Sequence, residues 1–577
     1  MFKKTQPTQG EDLFKSISHQ VSGRKSKILE DPASWHNVFY DQVTRQIDED
    51  VFSVLYHKGN GRPNASIRKM VAMMILKEGN GWSDQQLFEQ CRFNLTVMRA
   101  LGIQNLDEDV PVESTWYRFR KEILEYYEAA QDDLMKRCFQ RLTAEQIMMH
   151  GISGAKVRMD SKLINSNIAN HNRIELILEV VRSFVKPLDL TPLKGKLDKE
   201  ALEFLQSLKE KTVANITYAL SNAQQGKLLV SLGHMIQQLL TVYRGKEVDQ
   251  YDLLERLWTE QYTTETAGED DDDQSGSESG IQPRDPSELS ATSIQSAHDS
   301  EAGFRKKGQD KTRKTVKGYH GNIIETCTPE NEINLIVDVD VREANVSECE
   351  FLLPGLEASE EVFGQAYASD TTADNPKRHI EHVTTDGGYD SYENRIALTQ
   401  NDAPHWNLSN VRGRKSVITF GHDEQGQLIA YHTETGEQYK MTFSSKCKKH
   451  IVHINDKFKR YYTETQIEQV FLRQQLLADR PPEDRSIRAN VEASIHQVFH
   501  RLGKNEKVRY RGRYQSHCYV LYRAMWTNFR RIQKKTAENS PVFDFWGLWR
   551  SVRAQVLNWF DGQGMFNDHK IYAQRLA

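Results

Sequence analysis

The stretch His379–Arg395 constrains the fold more than any other part of this sequence. Residues His382–Thr385 include β-branched side chains and predict a short strand that ends at Asp386. Two glycines then permit a sharp turn, and helical spacing follows over Tyr389–Gln400. An acid at the carboxyl end of a strand is a suitable ligand for a hard cation. The alternative is a structural role, in which Asp386 only caps the next helix or satisfies the turn.

Length and composition predict a soluble protein of several domains. The 577 residues exceed one usual core, and 38% apolar with 27% charged residues is typical of globular chains. No apolar run approaches the roughly 18 residues that span a bilayer, and the N-terminus has no signal-peptide pattern. Six scattered cysteines without a C-x-x-C pair indicate neither a disulfide framework nor a zinc site. We therefore expect a cytoplasmic protein.

The formal net charge of −4 averages two unlike regions. Glu265–Glu301 contains 11 acidic residues and one arginine, whereas Lys446–Lys535 contains 21 Lys/Arg and 8 Asp/Glu, a net charge of +13. A basic block that also holds Tyr and Trp indicates a polyanionic partner such as nucleic acid. The alternative is a solvated helical surface.

Hydrophobic periodicity divides the chain into helical and mixed regions. It predicts a helical N-terminal domain over 1–147, which we interpret as a DNA-binding or dimerisation domain. An α/β domain follows in two parts, over 148–170 and 306–535, with a β-rich insertion near 415–460 in the second part. Between the two parts lie a helical insertion over 171–263 and an acidic disordered linker over 264–305, and a helical tail over 536–577 ends the chain. A helical N-terminal domain with a purely structural core remains an alternative to one that docks on DNA.

Three carboxylates come from separate predicted elements. Asp160 lies in the stretch Ala155–Ile164, where a predicted strand gives way to polar residues. Asp386 ends another predicted strand, and Glu492 lies beside the apolar stripe of a helix predicted over Ser486–Leu502. Carboxylates that converge from separate elements can hold two Mg²⁺ ions roughly 3.5–4 Å apart. Phosphodiester chemistry uses such a pair, because it activates the attacking oxygen and stabilises the leaving oxygen.

The ordered motifs resemble the DDE transposases of bacterial insertion sequences. The resemblance rests on the strand with Asp160, TTDGGYDS at Asp386 and RSIRANVEAS at Glu492. It is extended by GRPNAS, GWSDQQLFEQCRFN and ESTWYRFRKEI near the N-terminus, by GYHGNIIE, and by RGRYQSH with RAMWTNFRRI near the C-terminus. The similarity covers roughly Gly61 to Ile532, apart from the insertion and the linker.

The resemblance implies a fold, an activity and a metal requirement. The fold class would be α/β, an RNase H-like mixed sheet with flanking helices, plus the all-helical N-terminal domain and the helical insertion. Asp160, Asp386 and Glu492 would be the catalytic, metal-binding triad for two Mg²⁺ ions, with Mn²⁺ as a substitute and no other cofactor. The enzyme would bind the terminal inverted repeats of its element, cut DNA at the 3′ ends and join them to target DNA.

The chain departs from the family pattern around the final glutamate. Related transposases place a Tyr seven residues before it, an Arg four before and a Lys seven after. Arg488 fits, but Arg485 stands at the Tyr position and Phe499 at the Lys position, with His500 and Arg501 as other candidates for the missing cation. The residues expected to contact DNA are Arg485, Arg488, Lys507, Arg509, Arg511 and Arg513. Asp340 and Asp390 are the nearest competing metal ligands.

The implied partner is double-stranded DNA, both transposon ends and target, with no membrane. Bringing two ends together implies a homodimer when active, in the bacterial cytoplasm at the nucleoid. The departures at Arg485 and Phe499 leave two alternatives open. One is a catalytically inactive, transposase-derived DNA-binding protein, and the other is an RNase H-like nuclease without strand transfer.

Overall fold

The computed structural model divides the chain into two compact units. The first comprises Met1–Ile152, Pro329–Leu335 and the chain from Met525 onward, and the second comprises Ser153–Thr328 and Ile336–Ala524. The structure describes residues 1–5, 15–59, 61–218, 220–264, 280–308, 314–368, 379–400, 402–408, 417–423, 425–455, 458–478, 485–500, 502–503 and 506–538. Most of the tail predicted over 536–577 therefore lies outside the described residues.

The first unit is helical where the structure describes it. Its helices are Ile17–Gln20 (α1), Arg24–Glu30 (α2), Trp35–Gln42 (α3), Ile67–Asn80 (α4), Asp84–Phe93 (α5), Leu95–Ala100 (α6), Glu113–Ala130 (α7) and Leu134–His150 (α8), with 3₁₀ turns at Thr44–Gln46 and Glu49–Leu55. The polar opening predicted at Ser83 is a capping box, in which Ser83 and Gln86 satisfy each other's backbone N–H groups. Trp116 and Phe119 of α7 lie in the core of this unit.

A mixed sheet organises the second unit. Its strands are Lys156–Asn165 (β1), Gly303–Lys307 (β4), Lys314–Thr326 (β5), Ile336–Glu343 (β6), His382–Thr385 (β7) and His405–Leu408 (β8). The order is β4-β5-β1-β7-β8, and β6 pairs with β5 beside β4. The pairs that involve β5 are antiparallel, whereas β1–β7 and β7–β8 are parallel. The structure thus confirms a mixed sheet that follows a helical N-terminal region.

Between β1 and β4 the chain forms a helical insertion. It contains Arg173–Val185 (α9), Lys199–Glu210 (α10), Val213–Thr217 (α11), Asn222–Tyr243 (α12), Tyr251–Gln261 (α13) and the strands Tyr262–Thr264 (β2) and Ile281–Pro283 (β3). Phe184, Leu205, Ile236 and Leu257 are fully buried in its own hydrophobic cluster. Each helix has an amphipathic pattern, so stacking the apolar stripes produces this core.

Part of the predicted disordered linker is ordered, and that prediction was wrong for residues 280–305. Strand β3 pairs with β2, and the following loop buries Asp299, which accepts hydrogen bonds from the hydroxyls of Ser166 and Tyr319. Composition counted the Ser and Asp side chains as solvated, whereas here they satisfy partners distant in sequence. The acidic run at 270–273 lies outside the described residues.

After β6 the chain adds helices and a second sheet. The helices are Leu352–Ala366 (α14), Tyr392–Leu398 (α15), Glu464–Ala478 (α16), Arg485–Phe499 (α17) and Arg513–Glu538 (α18), with 3₁₀ turns at Glu348–Phe351 and Gly387–Tyr389. The second sheet contains Ile418–His422 (β9), Leu428–His432 (β10), Gln438–Ser444 (β11), Lys449–His453 (β12) and Lys459–Tyr462 (β13). It is antiparallel throughout, in sequence order.

Candidate active site

Two of the predicted carboxylates belong to neighbouring strands. In the parallel pair β1–β7 the last paired residues are Arg158 and Thr384. Asp160 and Asp386 each follow two residues later, so the register places them at the same level of the sheet. Asp160 lies inside β1, which continues to Asn165, and not at the strand end predicted for it. Adjacent strands lie about 4.8 Å apart, and the two carboxylates therefore start from neighbouring backbone positions.

The turn after Asp386 requires glycine at position 388. The Asp386 carboxylate accepts a hydrogen bond of 2.7 Å from the Gly388 N–H, which is the capping role considered as an alternative. A Cβ at position 388 would lie 1.6 Å from Oε2 of Glu348 and 2.7 Å from Oδ1 of Asp386. Only glycine leaves room there for two carboxylates. The capping bond uses one oxygen of Asp386 and does not occupy the whole group.

Sequence reasoning missed Glu348. This residue begins the 3₁₀ turn after β6, and it is only 6% exposed. Its Oε1 lies 3.5 Å from Oγ of Ser161, 3.8 Å from Nζ of Lys307 and 3.9 Å from Nε2 of His320. The sequence signal, an acid in the first turn after a strand, is the one that an ordinary helix start also gives.

The Tyr389 hydroxyl lies close enough to Asp160, Glu348 and Asp386 to be affected by the charge of all three. This hydroxyl is fully buried and donates a 2.5 Å hydrogen bond to Oδ1 of Asn322. Burial raises the pKa of this phenol well above its usual value, and the negative charges of Asp160, Glu348 and Asp386 raise it further. The phenol therefore stays protonated and acts as a hydrogen-bond donor in a strongly negative environment.

His320 supports the same cluster from β5. Its imidazole lies between the carbonyl of Val346, at 3.0 Å from Nδ1, and the hydroxyl of Ser161, at 2.9 Å from Nε2. Burial lowers the pKa of His320 to about 4, and the positive charges of Arg305 and Lys307 act in the same direction. The neutral ring fixes the Ser161 hydroxyl next to Asp160.

Helix α17 packs on β1 and β7 and is held there by a buried polar cluster. The hydroxyl of Ser494 lies 2.8 Å from both carboxylate oxygens of Glu325, which in turn pairs with Nε of Arg158 at 2.6 Å. Glu492 comes two residues before Ser494 and is exposed. Within the described parts of the chain, no three Asp, Glu, His or Cys side chains are grouped closely enough to hold a metal ion. The triad of Asp160, Asp386 and Glu492 thus stays a prediction.

The two competing carboxylates are engaged by arginines. Asp390 forms a bidentate pair with Arg395, with both N–O distances at 2.7 Å. Asp340 lies 2.8 Å from Nε of Arg342. Such pairs occupy the oxygens that a cation would need.

The position where a lysine was expected is part of the core. Phe499 is buried, and a Cβ on Gly321 of the GYHGNIIE motif would lie 3.0 Å from its ring. Nδ1 of the neighbouring His500 accepts a hydrogen bond of 2.9 Å from Nη2 of Arg523, whose Nε donates to the carbonyl of Val498. Arg523 thereby caps the carboxyl end of α17. Arg501 and the side chains of Arg485 and Arg488 lie outside the described residues.

The basic loop before α18 is anchored to the end of β1. Lys507 donates to the carbonyl of Ile168 at 2.5 Å, and Arg511 donates to the carbonyl of Asn167 at 2.9 Å. Arg513 lies 3.6 Å from Glu343 and 3.8 Å from Glu301, and the exposed Arg509 accepts a bond at its backbone carbonyl from Asn167. The side chains of Lys507, Arg511 and Arg513, which were predicted to contact DNA, therefore also have partners within the protein.

Comparison with known proteins finds a similarity for one region of the chain. Residues 28–122 match the family model described as Transposase domain (DUF772), which covers most of helices α2 to α7 in the first unit. No curated protein and no solved structure matches the chain significantly. None of the described helices is both long and apolar enough to cross a membrane. The family match covers 95 of the 577 residues, and over that region the chain is similar to a transposase domain.

Proposed function

We propose that this protein is a DNA transposase of the DDE type with an RNase H-like catalytic domain. It would bind the terminal inverted repeats of an insertion sequence, cut the 3′ ends by attack of water, and join the freed 3′-hydroxyls to target DNA. The observation that carries the proposal is the transposase-domain match in the first unit, followed in the second unit by Asp160 and Asp386 on adjacent parallel strands.

The donor type, carboxylate, suits hard divalent cations, although the described side chains do not bring three such groups close enough to enclose an ion. Carboxylate oxygens are the ligands that Mg²⁺ prefers, and Asp160, Asp386 and Glu348 all act on the Tyr389 hydroxyl. The space at Gly388 is filled by oxygens of Glu348 and Asp386. Two bound Mg²⁺ ions would supply the Lewis acidity that activates water or a 3′-hydroxyl and stabilises the leaving oxygen. We assign the ligands to Asp160, Asp386 and Glu492.

The remaining residues of the site orient these groups. Tyr389 and Asn322 brace the turn that carries Asp386, and the Arg158–Glu325–Ser494 cluster fixes the helix that carries Glu492. Precise placement matters because misplacing a catalytic group by about 1 Å can cost roughly 100-fold in rate. These are positioning roles, and they do not require contact with DNA.

Cleavage and joining by purified full-length protein test the proposal. The substrate is duplex DNA with the element's own ends, in Mg²⁺ or Mn²⁺, with target plasmid present. Asp386→Asn should leave end binding intact and abolish cleavage, because the neutral amide is a poor cation ligand. Asp340→Asn is the matched control, since Asp340 lies on β6 and is engaged by Arg342 of the same strand, and it should retain cleavage.

Other outcomes separate the alternatives. Cleavage by Asp386→Asn at the wild-type rate contradicts the site assignment. Tight end binding by the wild-type protein without cleavage under either ion indicates an inactive, transposase-derived DNA-binding protein. Cleavage without joined products in the presence of target DNA indicates a nuclease.

A further inference from the structure

Among the described residues, strands β11 to β13 of the second sheet are covered on one face, whereas in β9 the opposite face is buried as well, at Thr419. Ile418, Phe420 and Val452 form its core together with Ile467 of α16. Side chains alternate between the two faces of a strand, so the residues between these core positions point the other way. In β11 the alternation is visible directly, because Tyr439 and Met441 pack on the core while Lys440 and Thr442 are exposed.

Cross-strand pairing arranges the opposite face into rows. Lys440 pairs with His453 and His453 with Lys459, which forms one row across three strands. Thr442, Ile451 and Tyr461 form the next row, and Lys449 follows on the same face of β12. We call this surface the lysine face and define it by Lys440, Thr442, Lys449, His453, Lys459 and Tyr461.

The lysine face has only one sign of charge. Strands β9 to β13 contain no Asp or Glu, and exposed Lys446 and Lys448 extend the surface into the turn between β11 and β12. Within the described parts of the chain, Lys440, Lys449 and Lys459 have no ion-pair partner. A surface that serves only solubility normally intersperses both signs, so this one is better suited to a polyanion.

Exposed aromatic residues accompany these lysines. Tyr461 in the second row is 54% exposed, and Phe458, next to Lys459, is 65% exposed. Tyr hydroxyls donate hydrogen bonds to DNA phosphates, so Tyr461 adds a neutral donor to the cations of this surface. The basic loop differs, because Lys507 and Arg511 donate to backbone carbonyls of their own chain.

We propose that the lysine face binds the phosphate backbone of duplex DNA. Two strand spacings separate Lys440 from Lys459, about 10 Å, and Lys449 lies about 13 Å from His453 along β12, so the cations cover a patch comparable to the width of a groove. Backbone contacts of this kind position a protein on DNA without reading its sequence. The inference rests on the proposed function only in taking DNA as the partner.

The test compares DNA binding by the full-length wild-type protein with that of a triple variant, Lys440→Gln, Lys449→Gln and Lys459→Gln. The matched control replaces three exposed lysines of the helical insertion, Lys194→Gln, Lys196→Gln and Lys199→Gln, which changes the net charge equally. Binding to a fluorescent duplex is titrated at several salt concentrations. Unfolding temperatures verify that both variants are folded.

Loss of three phosphate contacts should reduce the slope of log K against log salt by about 2.7. The ratio of wild-type to triple-variant affinity should then fall about 40-fold between 50 and 200 mM salt. The control should follow the wild-type slope. A triple variant with the wild-type slope overturns the inference while the proposed function stands, and so does a single strand that competes as well as duplex at equal phosphate concentration. A wild-type protein that binds no DNA overturns both.

Discussion

The buried pair Arg158–Glu325 gives the sharpest prediction about stability. Arg158 is 6% exposed and Glu325 is fully buried, their closest N–O distance is 2.6 Å, and Ser494 adds hydroxyl contacts to both oxygens of Glu325. Glu325→Gln removes the negative charge and leaves the guanidinium buried without its counterion. Breaking a buried pair in this way costs about 3–5 kcal/mol.

The predicted loss of stability in Glu325→Gln comes from the uncompensated charge and not from lost packing, since Gln has nearly the same shape as Glu. Replacing both partners, with Arg158→Met and Glu325→Met, removes the uncompensated charge and should recover most of the loss. Asp340→Asn is the matched control, because the Asp340–Arg342 pair is partly exposed and is worth at most about 1 kcal/mol.

Peptide-resolved hydrogen exchange is the appropriate assay, because a chain with two compact units does not guarantee two-state unfolding. Amides of β1 and β5 should lose protection in Glu325→Gln and regain it in the double variant. The reasoning is refuted if Glu325→Gln changes their opening free energy by less than about 1 kcal/mol, or if the double variant is as unstable as the single one.

Three further variants test other contacts of the second unit. Gly388→Ala places a Cβ 1.6 Å from Glu348, so we expect DNA-end cleavage to fall at least about tenfold while end binding persists; unchanged cleavage would show that the turn tolerates the displacement. Because burial lowers the pKa of His320 to about 4, the folded protein binds fewer protons than the unfolded chain between about pH 4 and 6.5, and stability should fall as pH is lowered through this window. Unfolding temperatures at pH 7 and 5 should differ less in His320→Gln than in the wild type, and equal differences would contradict the assignment. Phe499→Ala, which empties a buried site, should cost about 3–5 kcal/mol in urea unfolding of the second unit, whereas a loss below about 1 kcal/mol would mean that Phe499 is not core.

Local signals in the sequence were sufficient for several elements. The strand predicted over His382–Thr385 is β7 with the same bounds, because β-branched residues and a glycine turn specify it without distant partners. The helix start at Ser83 was equally local, since a capping box is complete within four residues. Once β1 and β7 are placed as a parallel pair, their register puts Asp160 beside Asp386.

What the sequence missed depends on contacts across long separations. Glu348 gives no signal of its own, because its closeness to Asp386 exists only after β6 and β7 join one sheet. Asp299 looked like part of a solvated linker, yet it meets Ser166 more than a hundred positions earlier. Charge counting favoured Lys507 and Arg511 as phosphate contacts, but their hydrogen bonds to nearby carbonyls cannot be read from charge.

The pairing at Gly318 shows how separable the helical insertion is from the sheet that carries it. Asn165, where the chain leaves β1, and Gly303, where it returns in β4, pair with Gly318 from its two sides. The exit and re-entry points are therefore only about two strand spacings, or 10 Å, apart. A linker of about four residues spans that gap. The strands can thus pair without the helices between them, so α9 to α13 can be exchanged or shortened without changing the pairing of β1 with β7. Asn167, Ile168 and Asp299 have to stay, because they bond to Arg511, Lys507 and Tyr319.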